Sequence, residues 1–314
     1  MGMASRTPTT VEEFRAYRQR LHNWGRWGAD DQLGTLNLVT PDVRRAAAGL
    51  VREGRSVSCS NPWQTAEVQP DETRNRRPAQ FEMSVNEGGS SDFLGVAYHG
   101  FVTTHIDALC HMFTSPDWAP QVQVYNGRPA SMITTERAET NSVDYWRDGI
   151  VTRGVLYDIP RMREQAHVQD GEPIEGWDLA DFASLHGITP RAGDAVLVRS
   201  GSDPFWAAHP GREMVFPPNT PGVAVSALEF LYDTDAALLG WDLMEAGGQP
   251  DYGVQIPLHR ISIPHMGMPL LDNANFERLA EVCAETGRYE FMFTVAPLVV
   301  LGGTGSPVNP IATF

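Results

Sequence analysis

Apolar and polar residues alternate along this chain in two periods. A capping box, Thr10-Val11-Glu12-Glu13, predicts an N-terminal helix that runs through Phe14 and Tyr17 towards Leu21. Thr40-Pro41-Asp42 predicts a second helix, with threonine as N-cap, proline in the first turn and an end at Gly54. Strand-like runs recur at 92–98, 101–106, 151–158, 194–199, 236–241 and 289–300. Helical segments fit between them at 177–186, 224–232 and 275–286. The last of these sets Phe276, Leu279 and Val282 on one stripe and stops at Gly287. Residues 64–80 are polar and carry Asp71, Glu72, Arg74, Arg76 and Arg77, the pattern of a mobile surface loop with a solvated charged face. No repeat or low-complexity tract interrupts the series. It predicts one mixed α/β domain over 1–314, with a helical, tryptophan-rich extension over 1–55 packed on it.

The bulk properties narrow the function classes. The chain has 314 residues, 42% hydrophobic and 20% charged, with a formal net charge of -15. That charge repels phosphate backbones and anionic lipid, so neither nucleic acid nor a membrane is an expected partner. Cys59, Cys110 and Cys283 are widely spaced and form no CxxC pair, which fits a reduced, cytoplasmic setting. The first residues contain no apolar leader, and no apolar run is long enough to span a bilayer.

The densest chemistry lies in Thr104-His105-Ile106-Asp107-Ala108-Leu109-Cys110-His111. Two histidines and a carboxylate sit among apolar neighbours, where polar groups must be paired or bound to metal. On a strand from Phe101 to Asp107, His99, Phe101, Thr103, His105 and Asp107 share one face. A helical turn after Asp107 would bring His111 back to the same side. Imidazole plus carboxylate suits zinc, manganese or iron(II) better than calcium. Further ligands must come from elsewhere. The candidates are His259, His265 and Asp272, with Asp242 and Glu245 as further carboxylates beside apolar residues. A lone histidine in apolar sequence, such as His265 or His99, is ordinarily a packed and hydrogen-bonded core residue.

Other reactive readings are weak. Cys110 and His111 are adjacent, so their side chains diverge rather than form a dyad. Gly302-Gly303-Thr304-Gly305-Ser306 lacks the lysine of a phosphate loop and reads as a tight turn. Arg199-Ser200-Gly201-Ser202-Asp203 lacks the nucleophile-elbow frame.

The motif around His105 resembles the signature of the cyclase family, H-x-G-T-H-x-D-x-P-x-H, which includes bacterial kynurenine formamidase and isatin hydrolase. Gly154-Val155-Leu156-Tyr157-Asp158, Gly193-Asp194-Ala195-Val196-Leu197-Val198-Arg199 and Gly305-Ser306-Pro307-Val308-Asn309-Pro310-Ile311-Ala312 resemble further family segments. The tryptophan-rich start and Tyr125-Asn126-Gly127 are similar to its longer branch. The resemblance implies a swivelling β/β/α fold, a divalent metal (zinc or manganese), a small-molecule substrate and a homo-oligomer. By position it implies His105, Asp107 and His259 as metal ligands, His111 as the histidine that assists the metal's water, and Asp272 in place of a glutamate ligand. The first family histidine falls on Phe101, which cannot bind metal, and Thr103 and Leu109 replace a glycine and a proline. His99 has the right strand parity but lies roughly 6–7 Å further along, so only a bulge or bend makes it a substitute. Trp24 and Trp27 are candidate walls for a flat substrate.

Three functions follow as expectations. The first is hydrolysis of an amide C–N bond, in a formamide or cyclic lactam of an aromatic substrate. The second is a cyclase, dehydratase or lyase acting on an aromatic or polyketide-like intermediate with weak or no metal dependence. The third is a binding protein on an inactive scaffold.

Overall fold

The computed structural model describes residues 6–65, 77–118 and 121–314. Asp71, Glu72, Arg74 and Arg76 lie outside the described residues. The strands in chain order are β1 Ser56–Ser58, β2 Gln80–Asn86, β3 Gly89–Gly95, β4 His105–Asp107, β5 Gln123–Val124, β6 Arg128–Pro129 and β7 Ile150–Asp158. They continue with β8 Ala195–Arg199, β9 Leu238–Trp241, β10 Leu270–Asp272, β11 Glu290–Val295, β12 Gly305–Pro307 and β13 Ile311–Thr313. The helices are α1 Val11–Arg20, α2 Pro41–Ala48, α3 Ile159–Met162, α4 Gly176–Leu185, α5 Ser202–Ala208, α6 Ala227–Asp233, α7 Pro257–Ile261 and α8 Glu277–Thr286.

Nine strands form one sheet in the order β1-β13-β11-β7-β8-β9-β10-β4-β12. Its centre, β7-β8-β9-β10, is parallel, and the flanking pairs are antiparallel. Parallel strands covered on both faces read as continuous apolar runs, and every residue of β8 and β9 is buried. Helix α2 packs on β7 and β11, α4 on α6 and β7, and α8 on β1 and β7. This is the expected mixed α/β fold. Among the described residues no helix is long and apolar enough to cross a membrane.

Local rules account for most boundaries. Helix α1 has its capping box, with Glu13 N donating to Thr10 Oγ1 at 3.2 Å and Thr10 N to Glu13 Oε2 at 2.8 Å. Gly287, at φ 65°, ends α8 in the left-handed cap that glycine favours.

Four expectations shift. Helix α2 ends before Gly49 rather than at Gly54, because the amides of Glu53 and Gly54 turn away to the carbonyl of Phe314. Strand β11 stops at Val295 rather than residue 300, just ahead of Pro297, which has no N–H to give a ladder. Strand β3 covers 89–95 rather than 92–98, paired with β2, whose first residue falls inside the segment read as a polar loop.

The fourth shift matters most. The run read as a strand over 101–106 is a strand only at 105–107. Asn273 Nδ2 donates to the carbonyls of Gly100 and Thr103, at 2.7 and 3.2 Å, while Thr104 Oγ1 donates to the carbonyl of Asn273 at 2.6 Å. These bonds replace a ladder and hold residues 100–103 in a bend.

Arg153 on β7 is buried and forms a paired bond to Asp194, with Nε–Oδ1 2.8 Å and Nη2–Oδ2 2.5 Å. Breaking a buried pair leaves charge without compensation. Asp194→Ala is expected to cost about 3 kcal/mol in urea unfolding; a loss within about 0.5 kcal/mol, the range of an ordinary surface change, would contradict this role.

Candidate metal and catalytic site

Sheet register gathers the first three side chains. His105 and Asp107 lie two residues apart on β4 and share a face. Asp272 on β10 stands directly opposite His105 in the antiparallel ladder. His105 Nε2 lies 3.4 Å from Asp107 Oδ1 and 4.0 Å from Asp272 Oδ2. His259, on α7, brings its Nε2 to 3.3 Å from Asp272 Oδ2 and 4.0 Å from Asp107 Oδ2. All four residues are buried.

His111 returns to Asp107 through a turn closed by His111 N donating to the carbonyl of Ala108, not through the helix expected. Its Nε2 lies 3.6 Å from Asp107 Oδ2. The bend at 100–103 brings in His99, the one distance that strand geometry alone forbade. His99 Nδ1 lies 3.0 Å from Asp107 Oδ1, and its ring stacks on His111 with centroids 4.0 Å apart and planes at 5°. His99 and His111 keep 28% and 25% of their side-chain surface, so they form the open side of the cluster.

Supporting residues fix these rings. His105 Nδ1 bonds the carbonyl of Thr103 at 2.7 Å, which turns Nε2 towards the carboxylates. Glu245 Oε1 lies 2.5 Å from His259 Nδ1, and its Oε2 accepts from Leu258 N at 2.8 Å. Trp241 Nε1 donates to Asp272 Oδ1 at 2.6 Å, leaving Oδ2 for the cluster. His99 Nε2 meets Thr304 Oγ1 at 3.0 Å. Gly305 is opposite Asp107 in the ladder, and a Cβ there would stand 3.0 Å from His99 Cε1 and 2.5 Å from the carbonyl oxygen of Ile106. The roles of Glu245, Trp241, Thr304 and Gly305 depend on long-range packing. Only Glu245 had a sequence signal, as a carboxylate in an apolar run.

The electrostatics are those of a buried anion ringed by imidazoles. Burial opposes charge on Asp107, yet His111, His105 and His99 outweigh it and hold its carboxyl well below the usual range. Burial likewise opposes charge on His259, but Asp272 and Glu245 raise it well above an ordinary histidine. Burial pushes His111 down to about 4, so it is a neutral imidazole near pH 7. Both Asp107 oxygens are buried without a hydrogen bond among the described residues. Buried carboxylates are ordinarily paired or bound to a cation, and these oxygens are placed to take one.

The donors suit a divalent ion. Tetrahedral ligands at about 2.0–2.1 Å from zinc stand roughly 3.3–3.4 Å apart, and the contacts around Asp107 run from 3.0 to 4.0 Å. His105, Asp107 and Asp272 form one group within metal-binding reach, and His99, Asp107 and His111 form another.

A family model described as Putative cyclase matches residues 57–246. The chain belongs to the cyclase family. A solved cyclase, described as novel, superposes with a TM-score of 0.79 at 24% identity, covering 95% of this chain and 99% of its own. Isatin hydrolase A from Labrenzia aggregata, bound to benzyl benzoate, gives a TM-score of 0.56 at 20% identity over 85% of this chain and 94% of its own. An isatin hydrolase bound to the product analogue thioisatinate gives 0.55 at 18% identity, over 84% and 93%. No curated protein sequence matches the chain.

This cyclase-family chain places its other candidates outside the cluster. Phe101 is absent from both metal-binding groups; it lines two clefts, which also share Val102 and Met214. The larger, ≈ 510 Å³, includes His99 and reaches Val215 and Phe216; the smaller, ≈ 240 Å³, is walled by Trp63 and Trp206. Neither Trp24 nor Trp27 lines them. Trp24 Nε1 donates to the carbonyl of Pro264, while Arg26 covers the Trp27 ring at 4.8 Å. Asp242 accepts from the amides of Ser200, Gly201 and Ser202 at the start of α5 and does not join the cluster. Cys110 donates weakly to the carbonyl of Gly303, and burial pushes its thiol up to about 12, so it is no nucleophile.

His265 also stays apart. It is buried, stacks on Trp24 at 5.9 Å and 6°, and its ring nitrogens have no hydrogen bond among the described residues. Burial pushes its pKa down to about 3. An unfolded histidine titrates near 6.5, so below that pH the unfolded chain binds a proton that the folded chain refuses. Stability present above pH 6.5 is therefore lost as pH falls towards 3. Between pH 7 and 5 the unfolding free energy should fall by about 2 kcal/mol more in the wild type than in His265→Leu. Equal falls would contradict the burial of a neutral ring.

Proposed function

We propose that this protein is a metal-dependent hydrolase that cleaves an amide C–N bond in a formamide or cyclic lactam of an aromatic substrate. The observation that carries this reading is the Asp107 carboxylate, buried without a hydrogen bond and ringed by four imidazoles. His105, Asp107, His259 and Asp272 are the proposed ligands of zinc or manganese. His99 supplies the nitrogen that Phe101 cannot, and Glu245 orients His259 from behind as outer-shell carboxylates do. Such an ion, when bound, acts as a Lewis acid that polarises a carbonyl and acidifies water.

The chain's own residues do the rest. His111, neutral near pH 7 and facing the open side, accepts a proton from water at Nε2 and returns it to the leaving nitrogen. Phe101, lining both clefts, offers an apolar wall to a flat ring, and Trp63 and Phe216 extend it. The partner is a small molecule, and the working unit is a homo-oligomer. A cyclase, dehydratase or lyase with little metal dependence drew its support from the missing ligand at Phe101. The arrival of His99 favours hydrolysis over it, and over an inactive binding protein.

A panel of aryl formamides and cyclic lactams tests the reading. Turnover should vanish on chelation and return with Zn²⁺ or Mn²⁺. His111→Ala should keep its metal and lose about 10²–10⁴-fold in kcat. Full turnover after chelation, or an unchanged kcat in His111→Ala, would overturn it. Glu245→Gln should weaken metal binding about 10–100-fold in a competition titration; an unchanged affinity would remove its orienting role.

A further inference from the structure

A cleft of ≈ 360 Å³ lies apart from the metal cluster, at the seam between the N-terminal segment and the body of the domain. Arg18 on α1, with His22 and Trp24 just after it, forms one side, and Trp118 and His265 form the other. The remaining walls are uncharged polar side chains. None of these residues belongs to the metal cluster or lines the clefts beside Phe101. The volume falls within the range of small-molecule sites.

The rings of the cleft gather around His265. Trp24 lies parallel to it, with centroids 5.9 Å apart and planes at 6°, and Trp118 stands 6.0 Å away at 41°. His22 packs on Trp24 at 4.9 Å. Bonds to the main chain fix one wall of this box. Trp24 Nε1 donates to the carbonyl of Pro264 at 2.6 Å, Asn23 Nδ2 to that of Met266 at 2.9 Å, and Asn23 N to that of His265 at 3.1 Å. Aromatic walls already in place receive a flat ring at little ordering cost. His265 is 7% exposed, and both its ring nitrogens are buried with no hydrogen bond among the described residues. Buried polar groups ordinarily have a partner; here the chain supplies none, and the cleft is where a ligand would.

Charge decides the class of ligand. Burial lowers His22 and His265 below an ordinary histidine, so near pH 7 Arg18 is the one formal charge that lines the cleft. Its Nη1 reaches the carbonyl of Trp118 over a long 3.4 Å, and no carboxylate pairs with it among the described residues. A guanidinium fork matches a planar carboxylate through two parallel bonds. An aromatic box by itself would also suit a cation, but a cation would meet Arg18 in a cleft that has no acidic wall. We propose that this cleft is a second small-molecule site, which takes a planar aromatic carboxylate with its ring against Trp24 and Trp118 and its carboxylate on Arg18. The metal chemistry neither requires this site nor fails with it.

The test uses the full chain with 2-naphthoate as the probe, and 2-naphthamide as the same rings without the charge. Calorimetric titration at neutral pH should show saturable binding of 2-naphthoate to the wild type. The amide should bind about 10–100-fold more weakly, the loss of a charge-assisted pair. Arg18→Gln should weaken 2-naphthoate by a similar factor, and Trp118→Ala by about tenfold, both with unchanged circular dichroism. Arg18→Lys, which keeps the charge and loses the fork, should fall between wild type and Arg18→Gln. Equal affinity in the wild type and Arg18→Gln would put the probe elsewhere, the metal cluster included, and overturn the proposal. So would a wild type that binds no 2-naphthoate at millimolar concentration, or one that binds the amide as tightly as the acid.

Discussion

The rest of the site depends on one carboxylate. Asp107 sits in the sheet with both oxygens buried and no hydrogen bond among the described residues, and four imidazoles face it. An isolated ionised carboxylate in such a place is costly, and the histidines around Asp107 outweigh that cost and hold it ionised. The neighbouring architecture commits the outer nitrogen of three of these rings to other partners. His105 gives its Nδ1 to a backbone carbonyl, His259 gives its Nδ1 to Glu245, and His99 gives its Nε2 to Thr304. Each ring thus turns its other nitrogen inward, which is how protein ligands are oriented around an ion.

Sheet geometry makes this arrangement inexpensive to build. Three short strands, β10, β4 and β12, put Asp272 opposite His105 and Gly305 opposite Asp107. The glycine clears space for His99, and Asn273, next to a proposed ligand, bends the chain that carries it. His99 therefore belongs both to the cluster and to the short segment that links the β2–β3 hairpin to β4.

Much of this was legible in the sequence. Period two placed His105 and Asp107 on one face, and apolar context singled out His259 and Asp272. The capping box and the glycine stop marked α1 and α8. What was not legible came from long-range bonds. Parity alone left His99 too far away, because nothing local announces that Asn273 will take the carbonyls of Gly100 and Thr103. Strand β2 was hidden beside a charged run, although Phe81, Met83 and Val85 alternate cleanly. Trp24 does line a cleft, but one shared with Trp118 and His265 and not either of those beside Phe101, a placement that a tryptophan in a glycine-rich segment does not announce.

The most direct measurement is anomalous diffraction at the zinc and manganese edges from crystals of the protein as purified. The account predicts an anomalous peak at the Asp107 carboxylate, about 2.0–2.2 Å from its oxygen and within bonding distance of histidine nitrogens, with His99 facing the cluster and Phe101 outside it. A crystal with no peak there after soaking in either metal, and with Asp107 hydrogen-bonded directly to His99 and His105, would contradict it.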